Sequence, residues 1–235
     1  MPVGITERGD AAIYLREWLE AAERKRVDFT IAITKAPHVL LENIAILPKN
    51  LIIHATVTGW GGTTLEPGVL EWKHKIEAYL KLVRLLGPER VVLRIDPIIP
   101  IAEGLEIAQH LTTYCEGRLR ISILDLYKHI VPRLISGNDY VANALLNKYG
   151  SGIHLSASDR NEILSKFPNA EICGEPGFIS TGCVSLNDYQ ALYLPVPIKN
   201  SLANQRQHCS CLAQKVELLS HRGQCKHGCL YCYWK

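Results

Sequence analysis

Apolar positions in this chain recur in two alternating rhythms, and that alternation bounds the fold before any motif is considered. Leu15, Trp18, Leu19 and Ala22 fall at helical spacing behind Asp10, which reads as an N-cap, and the helix runs to Lys25. Residues 28–34 then form a short β-branched run that predicts a strand, 37–44 a brief helix, and 51–57 a second strand. The clearest helix follows, with Trp72, Ile76, Tyr79, Leu80, Val83 and Leu86 on one face and Gly87-Pro88 as its stop. Residues 90–96 predict a third strand, 102–116 a helix and 119–126 a fourth strand. Beyond Tyr127 the pattern weakens: a helix covers part of 128–147, Ser158 caps another through Lys166, and 171–173 and 191–194 are candidate strands.

Strands that are nearly continuous apolar runs, separated by helices, indicate a parallel sheet covered on both faces. About six βα units fit before residue 199, whereas a full eight-fold barrel takes ~250 residues. The expected fold is therefore α/β, a partial (βα)6-type TIM barrel or an open doubly wound sheet. Residues 1–198 would form the barrel and 199–235 a cysteine-rich tail packed on its mouth. Function is expected at the carboxyl ends of the strands. Polar residues gather there: Thr34-Lys35, Thr56, Thr58, Arg94, Asp96 and Asp125.

Composition narrows the class. Of 235 residues, 47% are apolar and 21% charged, which suits a packed core rather than a disordered chain. No apolar run reaches the ~18 residues of a spanning helix, and Met1-Pro2-Val3-Gly4 does not begin a secretory signal. The expectation is a cytoplasmic protein with no membrane partner. The formal charge is +3, and its distribution is uneven: residues 199–235 hold six basic residues against Glu217, or +5, leaving −2 for the rest.

The cysteines are uneven too. Cys115, Cys173 and Cys183 are scattered, but Cys209, Cys211, Cys225, Cys229 and Cys232 all fall in the last 27 residues. Such a cluster in a chain without an export signal reads as metal binding rather than a disulfide framework. Cys225-Lys-His-Gly-Cys229-Leu-Tyr-Cys232 can wrap one small centre. Structural zinc would need a fourth ligand from His221, His227, Cys209 or Cys211. An iron–sulfur cluster is usually held by four thiolates, and three would leave one iron open. The spacing alone leaves both open.

C-x3-C-x-aromatic-C, with Tyr231 as the aromatic, resembles the signature of the radical S-adenosylmethionine (SAM) enzymes, and its surroundings are similar to the spore product lyase branch. Thr34-Lys35-Ala36-Pro37, Leu65-Glu66-Pro67 and the segment from Arg94 to Pro100 resemble further elements of that branch. The motif lies at the opposite sequence end from its usual place, which barrel closure allows. The resemblance implies a [4Fe–4S] cluster on Cys225, Cys229 and Cys232, with SAM chelated at the open iron. One-electron reduction would then release a 5′-deoxyadenosyl radical that abstracts hydrogen from substrate. It also implies a reductase partner such as flavodoxin or ferredoxin.

On that resemblance Lys35 would meet the SAM carboxylate, Asp96 or Thr58 the ribose or amino group, Arg94 an anionic group, and Tyr231 the cluster or adenine. Cys173 is the candidate thiol hydrogen donor, although it is otherwise an ordinary small buried residue. Cys209 and Cys211 are candidates for a second metal site. The implied substrate is a thymine or modified thymine base in DNA, with the basic tail as a phosphate contact or merely as compensation for cluster charge. A small metabolite or peptide is the other substrate class. Gly61-Gly62 lacks a P-loop continuation and reads equally as a turn. From another functional class, the alternative is a non-enzymatic zinc or electron-transfer module, which would bind no SAM.

Overall fold

The computed structural model describes residues 2–196, 202, 208–220 and 225–234. In chain order its elements are β1 (Val3–Ile5), α1 (Leu15–Arg24), β2 (Phe29–Thr34), α2 (Pro37–Glu42), β3 (Leu51–Thr56), α3 (Trp72–Leu86), β4 (Val91–Ile98) and α4 (Ala102–Thr112). There follow β5 (Arg118–Ile123), α5 (Val131–Gly137), α6 (Asp139–Tyr149), α7 (Ala157–Ser165), β6 (Glu171–Ile172), α8 (Leu186–Ala191) and β7 (Lys215–Glu217). The strands form one sheet in the order β6-β5-β4-β3-β2-β1-β7, and every pairing is parallel. The fold is α/β, as the alternating rhythm predicts.

Strand alternation builds two cores. Leu51, Ile53, Ala55, Val91, Leu93 and Ile121 point to one face and pack with Trp18, Leu40, Tyr79 and Leu82 from the helices. Ile31, Ile52 and Val92 point to the other face and pack with Cys173, Cys183, Val184, Tyr189, Cys211 and Leu212. Phe29 and Tyr189 meet there edge to face at 5.0 Å. Near the β6 edge this second face is charged rather than apolar. The fully buried Arg120 pairs with Glu171 and reaches His54 Nε2 at 3.3 Å, while Arg118 bridges Glu171 and Asp188 at 2.8 Å each.

Several boundaries differ from expectation. Helix α1 begins at Leu15, after a turn over residues 11–14 that Asp10 caps: its carboxylate accepts from Ala12 N and Ile13 N and its backbone oxygen from Tyr14 N, and it also accepts from Lys35 N. Asn138 splits the helix expected within 128–147 and caps α6 through Val141 N. Ser156, not Ser158, caps α7. Residues 191–194 are not a strand but the end of α8 and a turn. Two three-residue strands escaped the sequence reading. β1 pairs with β2 and places Thr6–Asp10 at the sheet's carboxyl end, and β7 brings the tail to β1 through Val3↔Lys215. The boundary expected at 198/199 falls outside the described residues. No helix among the described residues is long and apolar enough to cross a membrane.

Candidate functional site

A cleft of about 820 Å³ opens at the carboxyl ends of the strands, within the usual range of small-molecule sites. Thr34 at the end of β2 and Lys35 just beyond it, Thr56 at the end of β3, Arg94 and Asp96 in β4, and Asp125 after β5 all line it. Seven of the eight cysteines line it as well, from 173 to 232, leaving Cys115 outside.

One wall is the loop of Cys225, Cys229 and Cys232, held to the body by specific bonds. Gly68 N donates to His227 O at 2.9 Å and Leu230 N to Leu65 O at 3.0 Å. A side chain at position 68 would put its first carbon 2.4 Å from Lys226 O, so only glycine permits this approach. Arg133 donates to Cys232 O at 2.7 Å, and Asp125 N donates to Tyr233 Oη at 2.7 Å. His227 is buried, not solvated as its basic surroundings suggest. Its Nε2 lies 2.7 Å from an Asp10 oxygen and its Nδ1 3.3 Å from Gly68 O. Asp10 also accepts from Thr34 Oγ1 at 2.6 Å and Lys35 N at 2.7 Å, tying the strand end to the cysteine loop. Burial opposes its ionisation, but His227 and the other donors win and hold its pKa below the ordinary value.

Beneath the loop lies a buried charge cluster. Lys35 Nζ sits 2.5 Å from Glu66 Oε1 and 3.1 Å from Tyr231 Oη. Thr58 donates to the same Glu66 oxygen at 2.7 Å, and Tyr231 also donates to it. Lys75 is fully buried and acts electrostatically on the same carboxylate. Burial pushes Glu66 toward protonation, but Lys35 and Lys75 outweigh it and hold its pKa at about 2. Burial pulls Lys75 down to about 8, only partly offset by Glu66.

The residues singled out from the sequence therefore separate. Lys35, Arg94, Asp96 and Tyr231 all line the cleft. Lys35 is within electrostatic reach of Cys229. Arg94 and Asp96 form an ion pair with each other. Thr58 does not line the cleft, because its hydroxyl is buried against Glu66. Gly61 belongs to a turn whose backbone packs against Leu70, away from the cleft. Cys173 does line it, with its sulfur 3.8 Å from that of Cys183. His221 and Arg222 lie outside the described residues, as do most of the tail's basic residues. Of the two described, Lys215 is buried against Glu7 at 2.6 Å and Lys226 is exposed.

Four participants were not assigned roles from sequence. Asp10 looked like a cap. Glu66 looked like one letter of a motif. Glu175, whose carboxylate accepts from Ile123 N at 2.7 Å and is pushed up by burial to about 7, carried no signal. Lys75 did carry one: a charge between Trp72 and Tyr79 on an apolar helical stripe.

Both ring nitrogens of His227 are engaged, with Asp10 and Gly68 O. Four thiolates around a single zinc lie about 3.8 Å apart, given its Zn–S length and tetrahedral geometry. Among the described residues, the group whose ligand atoms all fall within 4.8 Å of one another is Glu7, Cys183 and Cys211, and the loop thiols do not form one.

Residues 16–234 match the family described as Domain of unknown function (DUF1848), and the chain belongs to that family. No curated protein matches it significantly.

Proposed function

We propose that this chain is a radical SAM enzyme whose Cys225, Cys229 and Cys232 hold a [4Fe–4S] cluster at the mouth of a partial (βα)6-type TIM barrel. The observation that carries the reading is the convergence, at the carboxyl end of a parallel sheet, of three thiols on one loop with Lys35 and Tyr231 beside them. The sequential order of β1 to β6 and the cleft at their ends support the barrel reading. With cluster and SAM bound, the site would supply one-electron cleavage of the sulfonium and a radical able to abstract hydrogen.

The chain's own residues would bind, orient and exclude water. Lys35 offers a cation to the SAM carboxylate, its charge shared with Glu66. Arg94 and Asp96, paired across the cleft wall, present a donor and an acceptor to the nucleoside part or the substrate. Tyr231, anchored to Glu66, keeps a ring against the cleft. Nucleic acid, with a thymine base in the cleft, is the substrate class to test first, and flavodoxin or ferredoxin the electron donor.

Anaerobically reconstituted, dithionite-reduced protein should give a [4Fe–4S] paramagnetic resonance signal that shifts when SAM is added. A cluster signal indifferent to SAM would leave an electron-transfer protein, and zinc without a cluster would sink the proposal. Replacing Lys35 with Met should weaken SAM binding about tenfold or more, the usual scale for losing a charged contact. Unchanged affinity in a calorimetric titration would remove Lys35 from the site.

A further inference from the structure

The cleft wall carries a second set of thiols, gathered from three separate stretches of chain. Cys173 follows β6, Cys183 lies in the loop before α8, and Cys209 and Cys211 precede β7. Cys173 Sγ is 3.8 Å from Cys183 Sγ, and the backbone N–H of Cys183 donates to Cys211 Sγ at 3.1 Å. Cys211 is hydrogen-bonded in turn to Cys209. The four form a row with Cys183 and Cys211 in its middle. Those two sulfurs and a Glu7 carboxylate oxygen lie within 4.8 Å of one another.

Ordinary core cysteines are spread through a fold as small apolar fillers, and the half-buried Cys115 lies outside the cleft. These four instead converge on the wall of a cleft. The 3.8 Å separation is also the edge expected of a metal–thiolate tetrahedron, about 3.8 Å. Three ion pairs stand beside them: Lys215, paired with Glu7, has its Nζ 3.7 Å from Cys211 Sγ, and Arg94, paired with Asp96, and Arg120, paired with Glu171, act on both Cys173 and Cys183.

We infer that Cys183 and Cys211, with Glu7 as a third ligand and with Cys173 and Cys209 flanking them, bind a second metal centre in the wall of the cleft. Binding releases the protons of the ligating thiols to solvent, as it must for any thiolate site. The inference does not depend on the radical SAM reading.

The test removes the other loop first. The full-length Cys225→Ser/Cys229→Ser/Cys232→Ser variant is reconstituted anaerobically in two arms, one with zinc sulfate and one with ferrous iron and sulfide. It is then desalted and analysed for metal. Retention of about one centre per chain is expected, and adding Cys183→Ser/Cys211→Ser should lower it at least tenfold. Zinc without visible absorption identifies a single ion, and iron with sulfide and charge-transfer absorption a cluster. A folded triple variant that retains neither metal overturns the inference, as does a Cys173–Cys183 disulfide in anaerobically purified wild type. If the triple variant fails to fold, the difference in metal content between wild type and Cys183→Ser/Cys211→Ser gives the same reading. Because the loop of the first site is absent from the main test, its outcome and that of the SAM titration are separable.

Discussion

Replacing Glu66 with Ala is expected to destabilise the protein by about 3–5 kcal/mol, the usual cost of stripping a buried charge from its partners. Glu66 is fully buried, Lys35 is only 15% exposed at its side chain, and Lys75 is 1% exposed. Without the carboxylate, two ammonium groups face each other out of water, and the hydroxyls of Thr58 and Tyr231 lose their acceptor. For a chain of this size that corresponds to a fall in melting temperature on the order of 10 °C. Glu66→Gln keeps the shape and one acceptor, so it should be milder but still clearly destabilised. The sign with pH follows from the same carboxylate. Its folded pKa is about 2 against an ordinary 4.5, so its contribution is complete above about pH 4.5 and is lost as the pH falls toward 2. The loss is on the order of 3 kcal/mol. Denaturant melts at pH 3 and pH 6 should show about 2 kcal/mol of that loss in wild type and a smaller one in Glu66→Gln. Equal pH dependence in both would mean that Glu66 is not the buried anion described here.

Much of this architecture was legible because the signals are local. Strands such as Phe29–Thr34 and Leu51–Thr56 are largely apolar and buried on both faces, as in a covered parallel sheet, and α3 announces itself by its stripe and its stop. The strand ends were legible for the same reason: a polar residue directly after a buried strand has few places to point except the cleft. What stayed hidden is long-range. β1 and β7 are three residues each, too short for any period to show, and they exist because each finds a partner far away in sequence. The pairing of Asp10 with His227, 217 residues apart, has no local signature, nor does the meeting of Cys173 and Cys183 with Cys211. Thr58 misled for a related reason. It follows a strand like its neighbours, yet Glu66, eight residues on, folds back and takes its hydroxyl.

Replacing Cys229 with Ser should have the largest effect on chemistry of any single change. Cys229 is the buried member of its loop, 6% exposed, and sits within electrostatic reach of both Cys225 and Cys232. Its neighbour Leu230 is pinned to Leu65, and its own carbonyl accepts from Cys232 N at 3.3 Å, which fixes the backbone that carries it. Burial pushes its thiol up to about 12, and the same Lys35 that holds Glu66 offsets this only in part. A serine there keeps the volume but offers a far poorer ligand to a soft metal. Reconstituted Cys229→Ser should therefore lose the cluster signal at the loop by at least tenfold, together with SAM cleavage, while its far-ultraviolet dichroism stays that of wild type. Cys115→Ser is the control: its thiol lies outside the cleft, beside Tyr79 Oη at 3.9 Å, and it should retain both. Full cluster loading in Cys229→Ser would leave the three-thiol site without its central ligand, and the radical reading would fail with it.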